Sequence, residues 1–345
     1  MAAVSFCLAV LLIVARGAAG GERARFDHYQ VFRLKPSSAS LLHLLNALNA
    51  RPDGLEFLSE PSAVARSVDV MVPHQQPSFR DLLTTSGIGY SVTIPHVQRL
   101  LEDGGSSGKN STDYDWETYQ HLPQVNAWIG ATVVRHPEAT SILVAGSSFE
   151  GRPLKGVRLC HGPGRPVVFV EAGRRGAEWP SVSTATFLVH QLLTNDSEAV
   201  RRVAQASDWH VLPTANPDGY NYAHTTDRIW RKEPASGSQW LQIATGTSTG
   251  VMEVANISAE ALSRRYGTKY QTGTIFDITG GASGSSVDWV KKWLGARFVF
   301  EYELRDAGDL GLLLPAAQVR PTAEEAADSL VAMMREVLAP TAAPH

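Results

Sequence analysis

Between residues 22 and 104, three short runs alternate apolar with polar side chains: Tyr29-Gln-Val-Phe-Arg-Leu34, Ser67-Val-Asp-Val-Met-Val72 and Tyr90-Ser-Val-Thr-Ile94. They are interleaved with stretches at 40–50 and 79–86 whose apolar residues recur at helical spacing. A period of two marks a half-buried strand and a period near 3.6 an amphipathic helix. This part of the chain therefore predicts a small α+β domain, a helical layer on one antiparallel sheet. At 101–113 the pattern gives way to Gly, Ser and acidic residues around a lone Lys109. That composition predicts an exposed linker, 105–113 at its centre, of the kind proteolysis favours.

From Tyr114 the pattern changes again. An amphipathic run at 116–134 leads to a strand at Ser141-Ile-Leu-Val-Ala145 and a fully apolar strand at Pro166-Val-Val-Phe-Val-Glu171. A helix at 181–194 and another buried strand at Trp209-His-Val-Leu-Pro213 follow. Near-continuous apolar strands separated by helices predict an α/β domain over 114–340, a mixed, mainly parallel sheet with helices on both faces. Helical patterns recur at 251–266 and 323–338, with a strand at 296–304 between them. The last helix is expected to begin at Pro321-Thr322, with Glu324 and Glu325 in its first turn beside the positive end of the helix dipole.

Composition bounds the function classes. With 43% apolar and 19% charged residues the chain is ordinary globular material. A net charge of -3 and the lack of any long Lys/Arg run argue against a nucleic-acid partner. The apolar stretch from Val4 to Ala15, followed by Arg16 and the small residues Gly17 to Gly20, predicts a secretory signal peptide over 1–20. It is too short to cross a bilayer core of about 30 Å, and no other stretch approaches that length. The expected protein is secreted, extracellular and not membrane-bound. Asn110, Asn195 and Asn256 then become candidate glycan acceptors. Of the two cysteines, Cys7 leaves with the signal peptide, so Cys160 is expected to be a buried free thiol.

The chemistry concentrates in a few segments. Val170-Glu-Ala-Gly-Arg-Arg-Gly-Ala-Glu-Trp179 follows a buried strand and precedes a helix, which gathers its polar side chains at the carboxyl edge of the sheet, where open α/β sheets place their sites. Further on come Asn216-Pro-Asp-Gly-Tyr220, His224-Thr-Thr-Asp-Arg-Ile-Trp-Arg-Lys232 and Tyr302-Glu303-Leu-Arg-Asp306. With these motifs the chain resembles the zinc metallocarboxypeptidases of the carboxypeptidase A/B type. Asp27-His-Tyr-Gln-Val31, Val68-Asp-Val-Met-Val-Pro73 and Val97-Gln98 resemble that family's inhibitory propeptide. Tyr114-Asp-Trp116, Ser148-Phe-Glu-Gly-Arg-Pro-Leu-Lys-Gly156, Gly267-Thr-Lys-Tyr270 and Leu313-Leu-Pro315 carry the likeness through the catalytic domain.

The resemblance implies a secreted zymogen that removes C-terminal amino acids from peptides with zinc-activated water. Its partners would be peptide or protein C-termini and a trypsin-like activating protease near Lys109, and the protein would be a monomer. In the family, zinc is held by a His and a Glu three residues apart and by a second, later His, leaving one position open for water. A further glutamate is the general base, and an arginine stabilises the oxyanion. Carried over by position, Glu178 matches the carboxylate ligand, Arg231 the oxyanion arginine and Glu303 the general base.

The first histidine ligand aligns with Arg175, whose guanidinium has no lone pair for a metal and repels a dication. The arginine beside the glutamate ligand aligns with Ala177. The tyrosine that closes over substrate aligns with Gly280, counting back from Ala282-Ser283-Gly284. None of the eleven histidines lies between His224 and His345, so the second ligand is absent. Residues 233–250 alone join Lys232 to the helix at 251–266, where the family has a long segment with its carboxylate-binding Asn-Arg pair and the second histidine. An internal deletion near 233–242 follows, and with it the expectation of an inactive chain that binds zinc weakly or not at all.

Other readings attach to single motifs. Gly246-Thr-Ser248-Thr-Gly250 matches a serine-hydrolase elbow, with His161-Gly-Pro-Gly164 as an oxyanion loop and His345 as base; a Gly/Thr/Ser linker at the deletion join reads the same way without any chemistry. Glu301 shares a strand face with Glu303, an arrangement that raises carboxyl pKa values, and reads as structural or solvated. His190 reads as a core histidine. The alternative function is a noncatalytic binder of peptides or of a protease.

Overall fold

The computed structural model describes residues 23–50, 54–59, 61, 67–73, 76–103, 114–230, 240–245, 250–274, 286–305, 310 and 313–339, with the backbone alone for 240–245. The signal-peptide segment, Lys109, Asn110, Arg231, Ser248, Gly280 and His345 lie outside the described residues.

The N-terminal unit comprises β1 (Tyr29–Lys35), α1 (Ala39–Asn49), β2 (Glu56–Phe57), β3 (Val68–Pro73), α2 (Pro77–Thr85), β4 (Gly89–Ile94) and α3 (Val97–Asp103). Its sheet is antiparallel throughout, in the order β2-β3-β1-β4. Strand alternation sends Phe32, Leu34, Val68 and Val70 to one face, where Leu45, Phe79 and Leu83 of the helices cover them. Val31 and Met71 point the other way and join Ile229 and Leu313 from the larger unit, so the second face of the sheet is the docking face. The predicted α+β layout holds. Residues 101–103, read as part of the Gly/Ser-rich stretch, are instead the end of α3, which runs to Asp103 with Leu100 and Leu101 packed into this junction.

The larger unit comprises α4 (Leu122–Arg135), β5 (Thr140–Ser147), β6 (Pro153–Leu159), β7 (Val167–Glu171), α5 (Trp179–Thr194), α6 (Glu198–Ala206) and β8 (Asp208–Leu212). It continues with α7 (Pro217–Thr225), β9 (Trp240–Thr245), α8 (Val251–Tyr266), α9 (Ser286–Trp293), β10 (Phe298–Glu303) and α10 (Val319–Val337). The strands form one sheet in the order β10-β9-β7-β8-β6-β5. It is mixed, as expected, but β7–β8 is its parallel pair and the other described pairings are antiparallel. The expectation of a mainly parallel sheet is therefore corrected: apolar runs report burial, and strand direction depends on connections that they do not encode.

Register lines up Val168 with Trp209 and Val157 with Val211, and this layer packs with Trp128, Val182, Leu188 and Leu330 of the helices in one core. Gly156 is required there, since a Cβ on it would stand 2.1 Å from the carbonyl oxygen of Val211. Two further expectations are corrected. The last helix begins at Val319, with Pro321 inside its first turn, where a missing N–H has no partner to lose, so Glu324 and Glu325 fall a turn deeper. Cys160 is exposed, lying just past the end of β6. Among the described residues no helix is long and apolar enough to cross a membrane.

Candidate active site

The chain leaves β7 through Ala172–Gly176 and enters α5 with Glu178 as its N-cap residue. Two glycines press this loop onto its neighbours. Gly173 takes φ +59, and a Cβ on Gly176 would lie 2.2 Å from the carbonyl oxygen of Gly219 in α7. Ser181 staples the loop, its Oγ donating to the Glu178 carbonyl (2.8 Å) and accepting from the Gly173 amide (3.0 Å). Arg174, Arg175 and Glu178 are thereby held at the carboxyl end of the parallel pair.

β10 supplies the facing carboxylates. Glu301 and Glu303 are two residues apart and share a face of the strand. Glu171 pairs with Gln242, which pairs with Glu301, so Glu171 lies on that face too. Arg174 Nη2 donates to Glu301 Oε1 (3.2 Å), and Arg175 Nη1 donates to Glu178 Oε1 (3.1 Å). The Glu178 side chain is completely buried, and Arg175 is 13% exposed.

Glu301 has a pKa raised to about 7. Burial is the main cause; Arg174 and Arg175 oppose it, and Glu303 and Glu178 reinforce it. Burial also raises Glu171, against the pull of Arg174. Glu301 is thus not solvated, and the neighbouring carboxylates are the smaller part of its shift. Because the folded chain holds this proton more tightly than the unfolded chain, stability falls as pH rises from the ordinary value of 4.5 towards 7. Relative to the wild type, Glu301→Gln is expected to gain stability across that window, by up to about 3 kcal/mol. Urea unfolding of both proteins along a pH series checks this, and parallel curves would contradict it.

The structure brings Glu178, Arg175 and Glu303 together around Glu301. Ala177 is buried, and its carbonyl accepts a hydrogen bond from Arg228 Nη1 (3.0 Å). His190 is half-buried against Trp116, with ring centroids 4.6 Å apart. The described residues of the cluster do not fit zinc. A guanidinium occupies the Glu178 carboxylate, and among the described residues no group of three or more His, Cys, Asp or Glu side chains could hold a metal. Sequence reasoning missed the Arg174–Glu301 pair. The available signal was that a two-arginine loop and a two-carboxylate strand end both belong to the same sheet edge.

A small antiparallel α+β unit thus docks on a mixed-sheet α/β unit, with a charged cluster at the carboxyl edge of the larger sheet. The zinc carboxypeptidase family matches residues 125–239 and 237–329, and the carboxypeptidase activation peptide matches residues 32–104. Zinc carboxypeptidase A 1 of Anopheles gambiae is 30% identical, over 94% of this chain and 93% of its own length. Carboxypeptidase A2 of Rattus norvegicus is 27% identical, over 89% of this chain and 93% of its own. Among solved structures, thrombin activatable fibrinolysis inhibitor aligns with a TM-score of 0.77 at 19% identity, covering 92% of this chain and all of its own. Carboxypeptidase A from Helicoverpa armigera aligns at 0.74, also at 19% identity, covering 91% and 98%. These two share the fold. The chain belongs to the zinc carboxypeptidase family.

Proposed function

We propose that this chain is a secreted, propeptide-bearing zinc carboxypeptidase homologue that has lost zinc-dependent hydrolysis. The ancestral reaction is release of C-terminal amino acids from peptides, with Glu178 as the one retained ligand position, Arg231 as the ancestral oxyanion arginine and Glu303 as the ancestral base. The reading rests on the hydrogen bond from Arg175 to Glu178: a cation bonded to the chain itself takes the carboxylate that a metal would need. Three facts about the chain support it. No histidine lies between His224 and His345. The family matches in two pieces that meet at 237–239, within the proposed deletion. The alignment with the Anopheles relative runs over 404 residues, more than the 345 of this chain, so the relative has positions with no counterpart here.

Purified protein is expected to hold far less than one zinc per chain and to release no C-terminal residue from peptides, before or after cleavage near Lys109. Metal analysis and an amino-acid release assay with and without a chelator test both points. Stoichiometric zinc together with chelator-sensitive release would overturn the proposal. The second reading, a noncatalytic binder of peptides or of a protease, is favoured by the intact four-stranded activation unit and its packed junction. It predicts saturable binding that is indifferent to zinc.

A further inference from the structure

At the junction of the two units lies a cavity of about 110 Å³. Among the described residues its wall carries four basic side chains and no carboxylate: Arg23 from the N-terminal unit and His121, His224 and Arg228 from the larger one. Leucines from both units, Leu100 and Leu313 among them, complete the wall on the apolar side.

The polar side is unusual in how deeply two of its basic side chains, His224 and Arg228, are buried. His224 is 4% exposed and stacks on Trp179, with ring centroids 3.7 Å apart and planes 5° from parallel. Its Nε2 is buried and meets no hydrogen-bond partner among the described residues, an arrangement that is rare for a buried polar atom. The His121 ring is 4.4 Å from the His224 ring. His121 is also the N-cap residue of α4 and makes no side-chain capping bond, so the positive end of a fourteen-residue helix opens beside it. The Arg228 guanidinium lies 3.7 Å from the Trp179 ring, and the nearby Asp227 accepts from the Ile229 amide. Burial and the neighbouring cations depress His224 to about 2, and burial lowers Arg228 to about 10. Each cation makes the next less favourable, and an anion in the cavity reverses that penalty.

We propose that this cavity binds a small carboxylate with a short branched apolar tail, its oxygens met by His224 Nε2, Arg23 and Arg228 and its tail lying against the leucines. Such a ligand bridges the activation unit and the catalytic-type unit, since Arg23 and Leu100 belong to one and His224 and Arg228 to the other. The site needs neither zinc nor the Glu178 carboxylate, although Trp179, next in the chain, forms part of its wall.

The test uses the full chain near neutral pH, with 4-methylpentanoate, the neutral 4-methylpentanamide and inorganic sulfate as probes. Calorimetry is expected to show one saturable site for the carboxylate, none for the amide and weaker binding of sulfate. Arg23→Ala, a change at the exposed rim, is expected to weaken carboxylate binding about tenfold, the loss of one charge-assisted hydrogen bond. His224→Phe is expected to abolish binding. Because that variant alters a stacked core residue, imidazole NMR of the unmodified chain provides an independent readout, in which carboxylate shifts the His121 and His224 signals and leaves other histidines still. Equal binding of the amide, sulfate binding without carboxylate binding, an unchanged affinity in Arg23→Ala, or histidine signals that do not move would each overturn the proposal.

Discussion

Arg175→Ala is expected to lower the free energy of unfolding by about 3–5 kcal/mol, the range for removing one partner of a buried ion pair. Glu178 is fully buried at the head of α5, and Arg175 is nearly so. Without the guanidinium a carboxylate is left in a medium that solvates it poorly, on a loop that Gly176 and Ser181 prevent from shifting. Denaturant titration should show a lower midpoint at an unchanged slope. The double variant Arg175→Ala/Glu178→Gln should recover much of the loss, because it removes the buried charge together with its partner. A loss below about 1 kcal/mol, typical of an exposed pair, would show that the charge is solvated. Arg175→His is expected to lose the same pair and still to bind no stoichiometric zinc. It restores one ligand beside Glu178, and the chain has no histidine between His224 and His345 to supply the other.

Glu325→Ala is expected to destabilise by a comparable amount, about 3–5 kcal/mol. Its carboxylate is wholly buried and accepts from Arg305 at both oxygens, Nε to Oε1 at 2.7 Å and Nη2 to Oε2 at 2.6 Å. Thr268 Oγ1 also donates to Oε2 (3.0 Å), and the Tyr270 hydroxyl donates to Oε1. One side chain on α10 thus ties down the segment after α8 and the chain leaving β10. Truncating it strands the Arg305 guanidinium, whose remaining acceptor includes Gln318 (2.8 Å). Glu325→Gln, which keeps the shape and loses the charge, should fall between the two. Thermal unfolding read at the tyrosine and tryptophan signals checks the order, and a Gln variant as damaged as the Ala variant would argue that shape outweighs charge.

These two residues also mark how far the sequence could be read. Glu325 was legible as an acid near the start of a helix, and its assignment to the first turn followed from Pro321 as a boundary. Its true role depends on Arg305, twenty positions earlier, and no local pattern connects them. Arg175 was legible as chemistry: a guanidinium cannot donate a lone pair whatever surrounds it. That its charge is bonded to Glu178 depended on the loop being pressed against α7. Glu301 was read as structural or solvated, and the structure buries it, because the neighbours that desolvate it come from β7 and the loop beyond. Arg231, Ser248 and Gly280 lie outside the described residues, so their places in the site rest on the sequence motifs alone.

What the sequence determined by itself was local or compositional: the two periodicities, the α+β unit ahead of the α/β unit, the family motifs, the missing histidines and the shortened join after Lys232. Periodicity is legible because backbone geometry repeats every two or 3.6 residues regardless of context, and ligand loss is legible because donor chemistry belongs to the residue type. Tertiary structure alone decided the antiparallel majority of strand pairings, the burial of Glu301, the partners of Arg175 and Glu325, and the basic cavity between the units. Each of these depends on which distant segments meet and on how much water their meeting excludes, and that exclusion sets the strength of every charge involved.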